Sequence, residues 1–236
     1  SRASSAGFGR AAAVGLCRAA SAACLGVALA GAAVAGVPGF EQVRSAHRSS
    51  DTVLLDRHGE PVQALRTDFR ARRGEWVPLT QFSPALRHLL IQGEDQRFWS
   101  HGGVDWAAVM RSAMSNARGA GSVQGASTLT MQLAALIDAD LARPAGGRSI
   151  GQKLSQAAMA ARIEAGWSKP QILEAYLNLV PLRGELVGMP AAAGALFGKH
   201  PSGLDQAESA LLVALLRAPA AAPPRVVERG CALLSL

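Results

Sequence analysis

The sequence predicts a mainly α domain with a short β-hairpin at its entrance, preceded by one membrane-spanning helix. Three observations support this fold class. Hydrophobic residues make up 49% of the chain but aromatic residues only 5%, so most of the apolar content is Ala, Leu and Val, which favours closely packed helices over a β-sandwich. Helix-capping residues recur along the chain from Ser83 onward, and a long uncharged stretch lies near its start.

Length and charge bound the class of protein. A chain of 236 residues is long enough for one domain and an appendage. The formal net charge is +7, from 24 basic and 17 acidic residues. A mildly basic domain can bind nucleic acid, anionic lipid or a phosphorylated substrate, and charge alone does not choose among them. The cysteines, Cys17, Cys24 and Cys231, form no CxxC pattern and predict neither a disulfide framework nor a metal site.

Residues 19–40 read "AASAACLGVALAGAAVAGVPGF" and carry no charge. A helix of this length spans a hydrocarbon core of about 30 Å. Arginines precede the stretch and Glu41 follows it, so the positive-inside rule predicts a cytoplasmic segment at 1–18, a transmembrane anchor at 19–40 and export of the rest. A cleaved signal peptide and a buried Ala-rich helix remain alternatives.

The remaining chain divides into a hairpin with a connector at 41–82, a helical domain at 83–219, and a tail at 220–236 for which the sequence predicts no role. Two apolar runs flank the polar turn "RHGEP" and predict the β-hairpin. The domain has about six or seven predicted helices. Their starts are marked by N-cap residues, namely Ser83 (with Pro84 at the first helical position), Asp105, Ser127, Ser149, Ser168 and Asp205.

The stretch "QGEDQRFWSHGGVD" concentrates reactive side chains at the end of the first of these helices. Glu94 is a candidate general base. A carboxylate at a helix C-terminus faces the negative end of the helix dipole, which disfavours its ionised form and so makes it readier to take up a proton. Phe98 and Trp99 could form an apolar wall, His101 a hydrogen-bond partner, and the glycine pair a sharp turn. A solvated helix end is the alternative interpretation.

Two further stretches suggest anion binding. "VQGASTLTMQLA" places the hydroxyls of Ser127, Thr128 and Thr130 at a predicted helix start, where free N–H groups favour anions. An ordinary N-cap would explain Ser127 alone. In the next helix, one polar stripe (Ser149, Gln152, Lys153, Gln156) runs beside one apolar stripe (Ile150, Leu154, Ala157, Ala158, Ala161). A lysine in such a stripe suits a phosphate, although a solvated face is the usual meaning.

These motifs, in this order, resemble a known family. "EDQRFWSHGGVD", "QGASTLTMQL", "GQKLSQAAMAARIE" with "SKPQILEAYLN", and "GELVGMPAAAGALFGK" with "AESALLVALLRAP" are similar to the peptidoglycan glycosyltransferase domain of class A penicillin-binding proteins, glycosyltransferase family 51. The resemblance covers about residues 50–219 and is strongest to the 1C subgroup. Several ordered motifs are far more specific than any one of them.

The resemblance implies a lysozyme-like α fold and a specific reaction. The substrate would be lipid II, and Glu94 would act as general base on the acceptor 4-hydroxyl, which attacks the anomeric carbon of the growing glycan strand. Undecaprenyl pyrophosphate would leave, with inversion at the anomeric carbon. Gln156 stands at the position of the family's second cleft glutamate. The implied substrate-binding residues are Asp95, Phe98, His101, Arg111, Asn116, Ser127, Thr128, Gln132, Arg148 and Lys153.

The sequence departs from the family pattern in two places, and these departures limit which family properties can be expected of this chain. Many members have R-K-x-x-E in the third motif, whereas this chain has amides at Gln152 and Gln156, and an amide cannot take a proton. No metal site is predicted, and a divalent cation is left open as a cofactor. The transpeptidase motifs S-x-x-K and K-T-G do not occur in the sequence. The chain is therefore interpreted as a stand-alone glycosyltransferase or as the front part of a bifunctional enzyme.

A predicted stripe of Trp106, Val109, Met110 and Ala113 suits contact with a membrane, although a core-facing stripe is the alternative. Together with the anchor it predicts a single-pass protein of the bacterial inner (cytoplasmic) membrane, with its catalytic domain on the periplasmic side. The expected partners are lipid II, the nascent glycan strand, the membrane and other cell-wall synthesis proteins.

Other functions compete with polymerisation. A lytic transglycosylase shares the fold and uses one glutamate, but it needs no pyrophosphate site. A catalytically weak scaffold that binds lipid II would also explain the amide at Gln156. Nucleic-acid binding accounts for the charge but not for an exported anchor, so no nucleic-acid partner is predicted.

Overall fold

The computed structural model describes residues 36–117, 127–138, 141 and 150–236. Most of the predicted anchor at 19–40 lies outside these residues, as do Arg148, the predicted cap Ser149, and the Gly-rich stretches at 119–125 and 145–147. Within the described ranges, none of the helices combines the length and the apolar character needed to span a membrane.

Over the described residues the architecture is mainly helical, as predicted, with nine α-helices and four short strands. In chain order they are α1 (Phe40–Ala46), β1 (Asp51–Leu55), β2 (Pro61–Arg66), β3 (Arg72–Arg73), α2 (Pro84–Glu94), α3 (Trp106–Ala117), α4 (Leu129–Ile137), α5 (Ile150–Gly166), α6 (Lys169–Leu179), β4 (Leu186–Val187), α7 (Met189–Phe197), α8 (Gln206–Arg217) and α9 (Pro223–Leu234).

The predicted hairpin is confirmed. β1 and β2 pair antiparallel from Asp51↔Arg66 to Leu55↔Pro61, with an irregularity near the turn. Arg66 anchors the hairpin to the helical domain, because its guanidinium donates two 2.8 Å hydrogen bonds to the Glu185 carboxylate. β3 extends the connection by pairing in parallel with β4, a contact that the sequence pattern did not predict.

Helix α4 lies at the centre of the helical domain. Its buried residues occupy every side of the helix (Leu129, Thr130, Met131, Leu133, Ala134 and Ala135), which is the pattern of a core helix. It packs against α5 and α6. The surrounding core is aliphatic with a few large rings, among them Phe82, Phe98 and Tyr176, each at most 1% exposed.

Most helix starts follow the predicted capping chemistry. Pro84 occupies the first turn of α2, and the Asp105 carboxylate accepts the Ala108 N–H at the start of α3. Asp205 and Glu208 cap each other's backbone N–H groups at α8. The prediction for α4 is corrected by one residue: Thr128, not Ser127, is the N-cap, and its hydroxyl accepts the Met131 N–H.

The face of α5 that is buried differs from the apolar face that the sequence predicts. Gln156, Ala160 and Ile163 are buried, at most 1% exposed, whereas Leu154, which the sequence placed on the apolar side, is 65% exposed. Ala158 and Ala161 of that predicted apolar stripe are also exposed. Alanine carries too little hydrophobic surface to fix the facing of a helix, so the larger Ile163 determines it.

Residues at the two ends of the described domain pack into it. Phe40, the last residue of the predicted anchor, contacts Trp76 and Trp167 in edge-to-face geometry with centroids 6.1 and 5.4 Å apart. The C-terminal tail, for which no role was predicted, forms α9 on α8 and α2. Leu233 packs against the core, so the tail is part of the domain.

The two adjacent glycines of the 102–103 turn are predicted to differ sharply in their tolerance of a side chain. Gly103 has φ +90°, and a Cβ there would lie 2.8–2.9 Å from backbone atoms of α5 at Ala160 and Ala161. We expect Gly103→Ala to lower the free energy of unfolding by about 2 kcal/mol or more, as measured by chemical denaturation. Gly102→Ala is the matched control, because no atom lies within 4 Å of its Cβ position. Equal losses in both variants would contradict the packing described.

Candidate active site

A cleft of about 740 Å³ lies where the C-terminal end of α2 meets α3, α8 and α9. Its walls are unusually polar for a pocket beside an aliphatic core. The charged residues among those that line it are Glu94, Asp95, Arg97, Asp105, Arg111, Arg217 and Arg229. With four arginines against three acids, the lining favours an anionic, oxygen-rich ligand.

Glu94, the predicted base, is the last residue of α2 and lines this cleft. Its side chain is only 10% exposed. Arg217, at the end of α8, donates from Nε to Oε1 at 2.8 Å, and Gln132 of α4 donates from Nε2 to Oε2 at 3.2 Å. Arg217 also donates to the Gly93 carbonyl. The carboxylate is thus oriented from two helices.

Tyr176 of α6 holds Gln132 in place. Its hydroxyl donates to Gln132 Oε1 at 2.8 Å, which fixes the amide so that its Nε2 points at Glu94. Burial raises the pKa of Tyr176 far above its ordinary value, and the nearby Glu94 charge adds to the shift. The hydroxyl therefore stays a donor throughout the physiological pH range. Glu94, Gln132 and Tyr176 form a chain of hydrogen bonds running from the cleft into the core.

Asp95 is buried behind Glu94 and joins two helices. One of its carboxylate oxygens accepts the Leu129 N–H at the start of α4, at 3.0 Å. His101 Nε2 donates to the same carboxylate at 2.9–3.0 Å. The sequence suggested His101 as the partner of Glu94, which is corrected here: the histidine bonds to Asp95, and both side chains are about 5% exposed or less.

The predicted aromatic wall beside Glu94 is also corrected. Phe98 is fully buried, with the Lys169 ammonium 4.5 Å from its ring centroid, and Trp99 is 56% exposed. Neither residue lines the cleft. Phe98 and His101, two of the residues that the resemblance implies for substrate binding, are buried and hold the loop after α2 against the core.

The three hydroxyls at the start of α4, those of Ser127, Thr128 and Thr130, have different hydrogen-bond partners. Thr128 donates to the Gly103 carbonyl at 2.6 Å besides capping α4. Thr130 donates to Glu164, whose carboxylate also receives Lys169. Ser127 lines the cleft. Of the three hydroxyls predicted to bind an anion, therefore, only that of Ser127 has no described structural bond and remains available to a ligand.

Gln156, at the position of the family's second glutamate, does not reach the cleft. It is 1% exposed, and its amide donates to the Leu141 carbonyl at 2.8 Å. In the described structure this residue therefore makes a structural bond and does not line the cleft, so its catalytic role stays a prediction. Lys153 is exposed on α5. Arg148 and the side chain of Asn116 lie outside what the structure describes.

An ion pair between Arg97 and Asp105 fixes the wall formed by the start of α3. Arg97 Nε donates to Asp105 at 2.9 Å, and a second guanidinium nitrogen bonds to the other oxygen. The guanidinium, together with the Ala108 N–H, lowers the pKa of Asp105 to about 2. Arg111 of the same helix adds positive charge to this wall of the cleft.

Sequence reasoning missed Tyr176, Arg217 and Arg229. Tyr176 is the only tyrosine of the chain, and a lone phenol in a small-residue helix is a signal of a buried polar contact. Arg217 follows a run of buried residues in α8, but nothing in that run indicates which carboxylate it meets. Among the described residues, no group of three or more His, Cys, Asp or Glu side chains is placed to hold a metal ion.

The chain belongs to the transglycosylase family, whose model matches residues 58–234. It is 36% identical over 170 residues to a biosynthetic peptidoglycan transglycosylase of Aromatoleum aromaticum, covering 72% of this chain and 71% of that protein. A protein of the same name from Rhodospirillum centenum is 40% identical over 167 residues, or 68% of each chain.

Penicillin-binding protein 1C of Escherichia coli is 37% identical over 182 residues, which is 75% of this chain but 22% of that protein. The chain therefore spans about a fifth of this larger relative. The resemblance predicted from the motifs is confirmed, and the family match includes α9.

Removing the Tyr176 hydroxyl is predicted to disturb the orientation of Glu94. Tyr176→Phe leaves the Gln132 carbonyl without its donor, so we expect a loss of about 1 kcal/mol in the free energy of unfolding. We also expect about a tenfold fall in kcat, equivalent to about 1.4 kcal/mol, in the glycan polymerisation assay described below. Ser209→Ala is the control, since this buried hydroxyl of α8 has no described partner. An unchanged kcat in Tyr176→Phe would show that Gln132 does not orient the base.

Proposed function

We propose that this chain is a peptidoglycan glycosyltransferase that polymerises lipid II into glycan strands. The observation that carries the proposal is Glu94, a nearly buried carboxylate at the edge of an arginine-lined cleft, held from α4 and α8. Family membership and the names of the relatives support the same reaction class.

Glu94 can accept a proton while keeping both of its structural bonds. A carboxylate has about four acceptor sites, and Arg217 and Gln132 use one on each oxygen. The remaining sites can receive the acceptor 4-hydroxyl of the sugar. As the proton moves to Glu94, the sugar oxygen attacks the anomeric carbon of the glycan strand, the bond to the lipid pyrophosphate breaks, and the anomeric centre inverts.

The arginines of the cleft are suited to stabilising the pyrophosphate leaving group. Negative charge develops on the departing pyrophosphate, and guanidinium groups fixed before the reaction stabilise such charge more than water does. Arg111 on α3 and Arg217 on α8 both line the cleft. Lys153, exposed on α5, is kept as a proposed contact to the lipid pyrophosphate.

Glu94→Gln is predicted to abolish polymerisation and to preserve substrate binding. The amide keeps the size of the side chain but cannot take up the proton, so we expect kcat to fall by at least about 100-fold. The measurement is polymerisation of labelled lipid II by detergent-solubilised protein, resolved as glycan ladders on a gel, with binding of lipid II measured in parallel. Glu228→Gln, at an exposed position of α9, is the matched control.

The outcomes separate the competing functions. Ladders from the wild type and none from Glu94→Gln support the polymerase. A wild type that binds lipid II but makes no ladder supports a binding scaffold, and release of fragments from a finished glycan strand supports a lytic enzyme.

The proposal includes contact of α3 with the outer face of the bacterial inner membrane. Trp106, Met110 and Met114 are 69%, 61% and 51% exposed, and their spacing of four residues places them on one face of the helix. Val109, which the predicted stripe included, packs instead against Val104, Met131 and Ala160. The side chain of Ala113 lies outside what is described. Three large apolar groups on one exposed face support shallow insertion into lipid.

Membrane contact by α3 predicts an activity loss that depends on the form of the substrate. Trp106→Ser, Met110→Ser and Met114→Ser combined should lower activity about tenfold or more on lipid II in vesicles, since each side chain contributes about 1.5–3 kcal/mol of burial. Activity on a short-chain, water-soluble lipid II analogue should not change. Val227→Ser, exposed on α9, controls for general loss of apolar surface. Equal loss on both substrates would contradict membrane contact and indicate a folding defect in α3.

A further inference from the structure

The C-terminal helix α9 forms part of the wall of the active-site cleft. Arg229, Ala232, Leu233 and Leu236 line the cleft together with Glu94. None of these four lies in the motifs from which the catalytic site was predicted. The helix therefore supplies surface to the site as well as covering the core.

Close packing fixes α9 in this position. A Cβ at Gly93, the residue before the base, would meet Leu233 at 3.0 Å and Val213 at 3.1 Å. A Cβ at Gly230 would meet the Leu211 side chain at 3.3 Å. The absence of side chains at these two positions lets α9 approach α2 and α8. Because Arg229 precedes Gly230 directly, its position relative to the cleft is set by this contact.

Arg229 carries a polar group that lacks a partner. Its Nη1 atom is buried and has no hydrogen-bond partner among the described residues. A covered donor without an acceptor is unfavourable, and more so when it belongs to a charged group. Two other arginines of the cleft are already paired: Arg97 with Asp105, and Arg217 with Glu94. Arg229 differs from these two arginines because one of its N–H groups is buried and has no acceptor among the described residues.

We propose that Arg229 is a substrate-positioning residue, and that its Nη1 donates to a phosphate oxygen of the lipid-linked substrate bound in the cleft. The inference rests on the proposed function, since it takes lipid II as the ligand. Phosphate fits the site because guanidinium donors match its oxygens in geometry and charge. Arg229 takes no part in proton transfer and acts by holding the substrate against Glu94.

The test compares three arginine variants on lipid II in detergent. Arg229→Gln should raise KM by about tenfold or more with kcat changed by less than about threefold, as expected for an interaction made equally in the bound and reacting states. Arg229→Lys should recover part of the KM, because it restores the charge without the planar fork. Arg225→Gln is the control, because it removes an exposed arginine one helical turn earlier on α9.

Further measurements separate binding from folding and identify the anion. Thermal unfolding should show Arg229→Gln at least as stable as the wild type, since the variant removes a covered N–H group that has no described partner. A destabilised variant with unchanged KM would overturn the proposal in favour of a structural role. On a lipid-linked disaccharide without the peptide, the rise in KM should persist. Its disappearance there would assign Arg229 to a peptide carboxylate and overturn the phosphate contact.

An inactive wild type would refute the proposed function rather than this contact. In that case direct binding of lipid II to wild type and Arg229→Gln still decides the role of the arginine: at least about tenfold weaker binding by the variant supports it, and equal binding overturns it.

Discussion

The position of Glu94, the proposed base, depends on its neighbour, the buried carboxylate of Asp95. Asp95 is the C-cap residue of α2, and its carboxylate accepts the Leu129 N–H at the start of α4, so it ties the C-terminus of one helix to the N-terminus of the other. The positive end of the α4 dipole favours a negative charge at this point. Since Glu94 precedes Asp95 and Gln132 lies in the first turn of α4, this one contact brings the base within reach of its amide partner.

Around the contact between Asp95 and the start of α4, some neighbouring residues have structural roles and others line the cleft. Phe98 and His101 are buried and do not line the cleft, whereas Glu94, Arg97 and Asp105 line it, and the buried Asp95 lies between the two sets. Buried polar groups are stable only when their bonds are satisfied. Asp95 is satisfied by the Leu129 N–H of α4 and by His101 of its own loop. Glu94 meets the same requirement while keeping free acceptor sites, which is what a general base requires.

The sequence predicted local features more reliably than the way in which they meet. Capping boxes, the hairpin and the placement of Glu94 at the end of α2 depend on residues close together in the chain, and the structure contains them. The rotational setting of α5 could not be predicted, because alanine-rich faces differ little in hydrophobicity. The partners of Glu94 could not be predicted either, because Arg217 lies 123 residues away along the chain. Gln156 is placed in the cleft by its motif, and its bond to the Leu141 carbonyl could not be predicted from that motif.

The chain has a single tyrosine, and that residue, Tyr176, is 1% exposed and bonded to the amide that orients the base. Its phenol is therefore a spectroscopic probe of the active site already present in the protein. The unfolded chain would ionise near pH 10, whereas the folded state resists ionisation, because burial raises the pKa of Tyr176. Stability from this group is thus complete below pH 10 and declines above it. The phenolate absorbance that grows in alkali would report loss of the fold and loss of the Glu94–Gln132 contact in a single signal.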